Sequence, residues 1–250
     1  MVDNSGRGEA RGRDGGSHAA GDILRHAVWP GAATRDGRFV PALLVLTVVT
    51  GLVDAVSYLG LGRVFVANMT GNVVFLGFAC AGAPGLSATA SLVSLGGFVV
   101  GAFGGGRLHL VTEVPRGRLF ATAVAGQAVL LAAATGIAAA GKPFADGVRY
   151  GLIALLGVAM GLQNAVVRRL AVPDLTTTVL TQTLTGFAAD TGDRRRTARR
   201  LTSAAAMFLG ALAGALLVLR ADLAPALGTA TALVALLAAV SWGYLRRRAR

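Results

Sequence analysis

Asp54 is the only acidic residue in the interior of a clear apolar run of this 250-residue chain. A carboxylate at membrane depth is costly and normally faces a bundle interior or a water-filled cavity. On a helix, Thr50, Gly51, Ser57 and Tyr58 lie three or four residues from it and share its face. The functional reading is a group that takes up a proton or coordinates a cation as a solute passes. The plainer readings are a helix-helix hydrogen bond, an ion pair with Arg63 or a more distant arginine, or a solvated place near the surface. Two amides follow in "FVANMTGNVV", residues 65–74. A helix through this stretch sets Asn68 and Asn72 on one face with Thr70 and Gly71 beside them. A helix broken at Gly71 would turn backbone groups into a cavity, because backbone exposed to lipid cannot be left unpaired. A second polar stretch, "LTTTVLTQTLTGFAA", carries Thr177, Thr181 and Thr185 at four-residue spacing with Gln182 nearby, and "GLQNAV" supplies Gln163 and Asn164. Threonine hydroxyls can bond to their own helix's carbonyls, so interhelical hydrogen bonding stands beside a solute pathway as an explanation.

Other chemistries lack their residues. Cys80 is the single cysteine, and His18, His26 and His109 are scattered, so neither a disulfide nor a Cys- or His-based metal site is expected. No phosphate-binding loop, nucleophile elbow or zinc-protease motif occurs. The glycines at 104–106 lie in an apolar run, where packing or a helix end explains them. An enzyme on a lipophilic substrate would need a second group near Asp54, and no His, Lys or Glu lies within the spans to serve. The expectation is a protein that is not an enzyme and has no cofactor.

The elements that must position these groups are membrane helices. The chain is 54% hydrophobic and 14% charged, with a mean hydropathy of +0.63. Soluble domains carry about 25% charged residues. Hydrophobic segments run approximately over 39–61, 64–81, 87–106, 119–140, 147–167, 175–189, 201–219 and 224–245. Segments 64–81 and 175–189 are the shortest and most polar, and they hold corresponding places in a weak internal repeat. "GLVDAV" matches "GLQNAV", "MTGNV" matches "LTQTL" and "GAFGG" matches "GALAG", at offsets of 110, 111 and 109 residues.

The cations bear on the number of crossings. Six spans with the N-terminus inside place 20 cations inside and 4 outside, whereas eight spans give 17 and 7. Six fits the positive-inside rule better. It also puts three spans in each half, so the halves run in opposite senses, and two interrupted polar segments at matching places in inverted halves point to a substrate site. Eight spans would make the halves parallel.

The fold expected is therefore an all-α membrane bundle of six spans and two shorter broken or re-entrant helices, in two related halves. Residues 1–37 form a disordered basic tail, 38–140 the first repeat, 141–245 the second and 246–250 a basic end. Gly97, Gly101 and Gly105 form a small-residue ladder matched by Ala206, Gly210 and Gly214. Close helix packing is the first reading of these ladders and a homodimer interface the second. The net charge of +12 resides between apolar runs and at the ends, without aromatic residues interleaved. That argues against nucleic acid and for topology anchors near anionic headgroups. The partners expected are the lipid bilayer and a small solute or ion, and the location is the bacterial cytoplasmic membrane with both termini cytosolic.

With "GLVDAVSYLGLGRVFVANMTGNVVFLG" and "GLQNAVVRRLAVPDLTTTVLTQTLTG" in order, residues 39–245 resemble the YoaK family of bacterial multi-pass membrane proteins, classed as a domain of unknown function. The matching positions are Asp54, Ser57, Tyr58, Asn68, Thr70, Gly71 and Asn72, then Gln163, Asn164, Thr177, Thr178, Thr181 and Thr185. The resemblance implies the architecture and carries no activity. From the residues, the expected role is a transporter or permease moving a small polar or ionic solute through the junction of the halves. A membrane scaffold or sensor held by the same amides is the alternative.

Overall fold

The computed structural model describes residues 39–108, 115–140, 145–171 and 194–248. These residues form seven helices: α1 (Phe39–Gly60), α2 (Met69–Cys80), α3 (Ala88–Arg107), α4 (Arg116–Ala139), α5 (Asp146–Leu170), α6 (Arg194–Ala221) and α7 (Leu223–Arg248). All except α2 are long and apolar enough to cross a membrane. The twelve residues of α2 reach about 18 Å at 1.5 Å per residue, well short of a hydrocarbon core of about 30 Å. The chain is thus an all-α bundle of six spans with one short helix among the described residues.

Side-chain contacts fix the direction of each helix. Phe39 of α1 meets Phe120 of α4 edge to face at 5.7 Å, and Arg116 of α4 donates to the Leu170 carbonyl at the end of α5. Leu245 of α7 lies over Gly117 of α4. These contacts gather the start of α1 and α4 and the end of α5 and α7 at one face. At the opposite face Leu223, which opens α7, packs on Gly60, which closes α1. The spans α1, α3 and α4 therefore run one way, back and again, while α5, α6 and α7 run in the reverse order.

Glycine sets the closest packing. A methyl on Gly101 would strike the Val158 carbonyl, and one on Gly105 would come within 2.9 Å of the Leu162 carbonyl, so α3 lies backbone to backbone along α5 and parallel to it. From the other side, Gly161 meets Phe98. The same three contacts join α6 to α1: Gly210 meets Val48, Gly214 lies 2.7 Å from the Leu52 carbonyl by the same measure, and Gly51 meets Met207. Gly97 adds a contact with Ala154, and its counterpart Ala206 is half-buried on α6. Small residues permit this approach, and dispersion supplies the attraction in a solvent as apolar as the side chains.

Among the described residues the basic side chains divide unequally between the two faces. Arg107, Arg116, Arg118, Arg168, Arg169, Arg199, Arg200, Arg246 and Arg247 sit at the face that gathers the start of α1 and the end of α5, whereas Arg63, Arg149 and Arg220 sit at the other. Parallel packing of α6 on α1 starts α6 at the basic face, where α5 ends. The end of α5 and the start of α6 therefore share one face.

Candidate functional site

The site begins where α1 ends. Gly62 and Arg63 take positive φ angles of 109° and 55°, and the chain turns back on α1 instead of continuing outward. Residues 64–68 then run as irregular backbone beside the helix they left, with Val64, Val66 and Ala67 buried. Backbone at this depth must find partners within the protein, and side chains provide them.

Asp54 supplies the first set. Its Oδ1 accepts hydrogen bonds from the Val66 N–H at 2.9 Å and the Ala67 N–H at 2.8 Å. Asp54 is six residues before the end of α1, about 9 Å into the bundle at helical rise, and its side chain is 4% exposed. Its other carboxyl oxygen, Oδ2, is buried and has no hydrogen-bond partner among the described residues. No ion pair reaches it among those residues; Arg63, the partner one sequence reading offered, extends its guanidinium over Gly85. Ser57 donates to the backbone carbonyl of Asp54 at 3.1 Å.

Asn72 supplies the second set. Its Oδ1 accepts from the Phe65 N–H at 2.9 Å, and its Nδ2 donates to the Phe65 carbonyl at 2.6 Å, so one amide side chain pairs both polar groups of one residue. Ser94 of α3 joins from the other side, donating to the same carbonyl at 2.6 Å and accepting from Asn72 at 3.1 Å. Asn68 acts differently: it is the N-cap of α2, accepting from the Gly71 N–H at 3.5 Å. The helix begins at Met69 and runs unbroken through Gly71, so the break comes before the "NMTGN" stretch and not within it. Asn68 and Asn72 have separate tasks, and both Asn68 and Thr70 are exposed.

These bonds set the course of α2. Ser94 lies six residues into α3, the same depth as Asp54 measured from the same face. From Asn72, α2 climbs back antiparallel to α3 and delivers its end near the start of α3. The loop after α2 touches the turn after α1 where Gly85 meets Arg63. Thus α2 is re-entrant: the chain enters from the less basic face and leaves by it. Over this segment Tyr58, Phe65 and Phe75 form a cluster of rings with centroids 5.1, 5.6 and 6.0 Å apart.

A second polar group lies one turn deeper. Thr50 donates to the Leu46 carbonyl at 2.9 Å and accepts from Gln163 of α5 at 2.9 Å. Gln163 in turn accepts from Gln127 of α4 at 2.5 Å. Three helices are joined by side chains that are all fully buried. Asn164 donates to its own helix at the Met160 carbonyl, 3.0 Å away, and makes further interactions.

The structure thus brings together Asp54, Ser57, Tyr58 and Asn72 around the re-entrant segment and Gln163 with Thr50 below it. Thr177, Thr178, Thr181, Gln182 and Thr185 lie outside the described residues. Ser94 and Gln127 have central places that the sequence reading missed. The signal for Gln127 was an amide in the middle of a 24-residue apolar helix, where a polar side chain needs a partner. Ser94 has no comparable signal, since a serine can satisfy itself on its own helix.

A match to a family model covers residues 42–240, and that model is described as a protein of unknown function, DUF1275. The chain is also 33% identical over 153 residues to the UPF0700 transmembrane protein YoaK of Bacillus subtilis strain 168, a match covering 61% of this chain and 67% of that relative. No solved structure matches it. The model spans most of the six-helix bundle together with the re-entrant helix, and on that coverage the chain belongs to the DUF1275 family of multi-pass membrane proteins.

Proposed function

We propose that this protein is a transporter of a small polar or ionic solute, with its site at the junction between α1, the re-entrant segment and α5. The observation that carries the reading is Asp54: a buried membrane carboxyl group with one oxygen engaged by the backbone of a re-entrant segment and the other unpartnered among the described residues. A group serving only to pin that backbone would need a single acceptor, which an amide provides without a buried charge. Irregular backbone at membrane depth occurs where it is enclosed in protein or lines a cavity, and transporters place substrate sites beside such breaks.

The architecture supports the same reading. We take residues 38–140 and 141–245 as two related halves in inverted orientation. The contacts of Gly101, Gly105 and Gly161 recur at Gly210, Gly214 and Gly51 with partners displaced by 109 or 110 residues, and the helix directions reverse between the halves. The polar stretch that corresponds to the re-entrant segment in the second half, 175–189 with Thr177, Thr181 and Gln182, lies outside the described residues. The positive-inside rule makes the basic face cytosolic, with both termini there, in a bacterial cytoplasmic membrane.

A thermal-shift screen of the purified chain against inorganic ions, organic ions and uncharged metabolites, run beside Asp54→Asn, tests this. A stabilising solute raises the melting temperature of the parent by mass action and has no effect on the variant. A scaffold gives the other pattern: nothing in the screen stabilises the parent, and Asp54→Asn merely lowers its melting temperature.

A further inference from the structure

We propose that the solute recognised at this site is an organic ammonium ion; the inference rests on the transport reading and names its substrate class. Its first support is charge. Asp54 carries an acceptor oxygen, Oδ2, that is buried and unpartnered among the described residues. No cation within those residues pairs with it. Residues 64–106, which include the whole re-entrant segment, contain no Lys, Arg or His, and the Arg63 guanidinium lies over Gly85. A buried carboxylate is normally paired, so the missing half of the pair is a positive charge brought by the solute.

The second support is the surface between Asp54 and the less basic face. Tyr58 lies one helical turn above Asp54 on the same side of α1, and Phe65 immediately precedes the two residues whose amides Asp54 holds. Tyr58, Phe65 and Phe75 pack together, each only half-buried, in a cluster that begins one helical turn from Asp54. A carboxylate with aromatic rings is the chemistry that recognises an alkylated ammonium: the rings attract the diffuse charge through their quadrupoles, and the carboxylate neutralises it. A small metal cation would require several converging oxygens. Among the described residues no group of three or more His, Cys, Asp or Glu side chains occurs.

The test uses benzyltrimethylammonium, whose charge is permanent, beside its uncharged isostere neopentylbenzene, with sodium, potassium, chloride and phosphate as inorganic alternatives. Binding to the full chain in detergent is read by thermal shift and by equilibrium titration. The inference predicts that the ammonium probe stabilises the parent and that the isostere does not. Because Asp54→Asn also touches the re-entrant backbone, Phe75→Leu serves as a second variant: Phe75 contributes none of the side-chain hydrogen bonds that hold that backbone, and loss of one ring should weaken the probe about 2- to 30-fold. Equal stabilisation by probe and isostere, or an unchanged affinity in Phe75→Leu, overturns the inference. Protection by an inorganic ion instead, lost in Asp54→Asn, overturns the ammonium class and leaves the transport reading standing. Absence of protection by anything tried, with Asp54→Asn only less stable, overturns both.

Discussion

Asn72 shows how a polar side chain can serve the backbone at membrane depth. It pairs the N–H and the carbonyl of Phe65 together, so Asn72→Ala leaves a partly buried N–H without that acceptor. The expected loss is about 1–3 kcal/mol, measured by thermal unfolding in detergent; a change under about 0.5 kcal/mol would mean that Asn72 does not hold the segment. The chain of Gln127, Gln163 and Thr50 allows a sharper experiment. Gln163→Leu leaves the buried Gln127 amide without its acceptor, while Thr50 keeps its bond to Leu46, and should cost about 1–3 kcal/mol, whereas removing both amides as Gln127→Leu with Gln163→Leu should cost less than the sum of the single changes. Strict additivity would show that the two amides do not interact. At this scale Asp54 and Asn72 could be singled out from the sequence because polar residues in apolar runs are conspicuous. Their partners could not: the bonds to Val66, Ala67 and Phe65 exist only because the chain reverses at Gly62 and Arg63, and no side-chain pattern announces backbone as a ligand.

The helices themselves were legible from length and hydropathy, down to the shortness of α2. Its route was less so, since an apolar segment of that size reads equally as a thin span; the contact between Asn72 and Ser94 is what turns it back. Small-residue ladders announced close packing without naming their partners, which the structure gives as α5 for Gly101 and α1 for Gly210. A methyl group at either position would meet a backbone carbonyl, which cannot move without moving its helix. Gly101→Ala and Gly210→Ala should each lower stability by about 1–3 kcal/mol, the ordinary range for overpacking. Gly104→Ala, on the same helix as Gly101 but facing open space, should be neutral or stabilising by up to about 1 kcal/mol through helix propensity. Thermal unfolding of the three variants checks the contrast, and equal effects would contradict the assigned faces.

As a whole, the molecule is a bundle whose two faces differ in charge and whose re-entrant helix opens to the less basic one. In a Cys80→Ser background, Ala81→Cys at the end of α2 should react with an impermeant thiol reagent in intact cells, and Ala171→Cys at the end of α5 should react only after the membrane is opened; the reverse pattern would invert the proposed orientation. Two related halves are a proposal that began from three short matches in one register, and in the sequence their reversal rested on counting cations, because nothing in a helix's own sequence states its direction. What the bundle is for turns on Asp54. The most direct measurement is charge movement across proteoliposomes on a solid-supported membrane during jumps of organic ammonium ions, inorganic cations and anions, for the parent and for Asp54→Asn. The account predicts a transient current for one solute class in the parent and none in a folded Asp54→Asn variant. The same current in both proteins would contradict it, as would none from a parent shown to bind the solute.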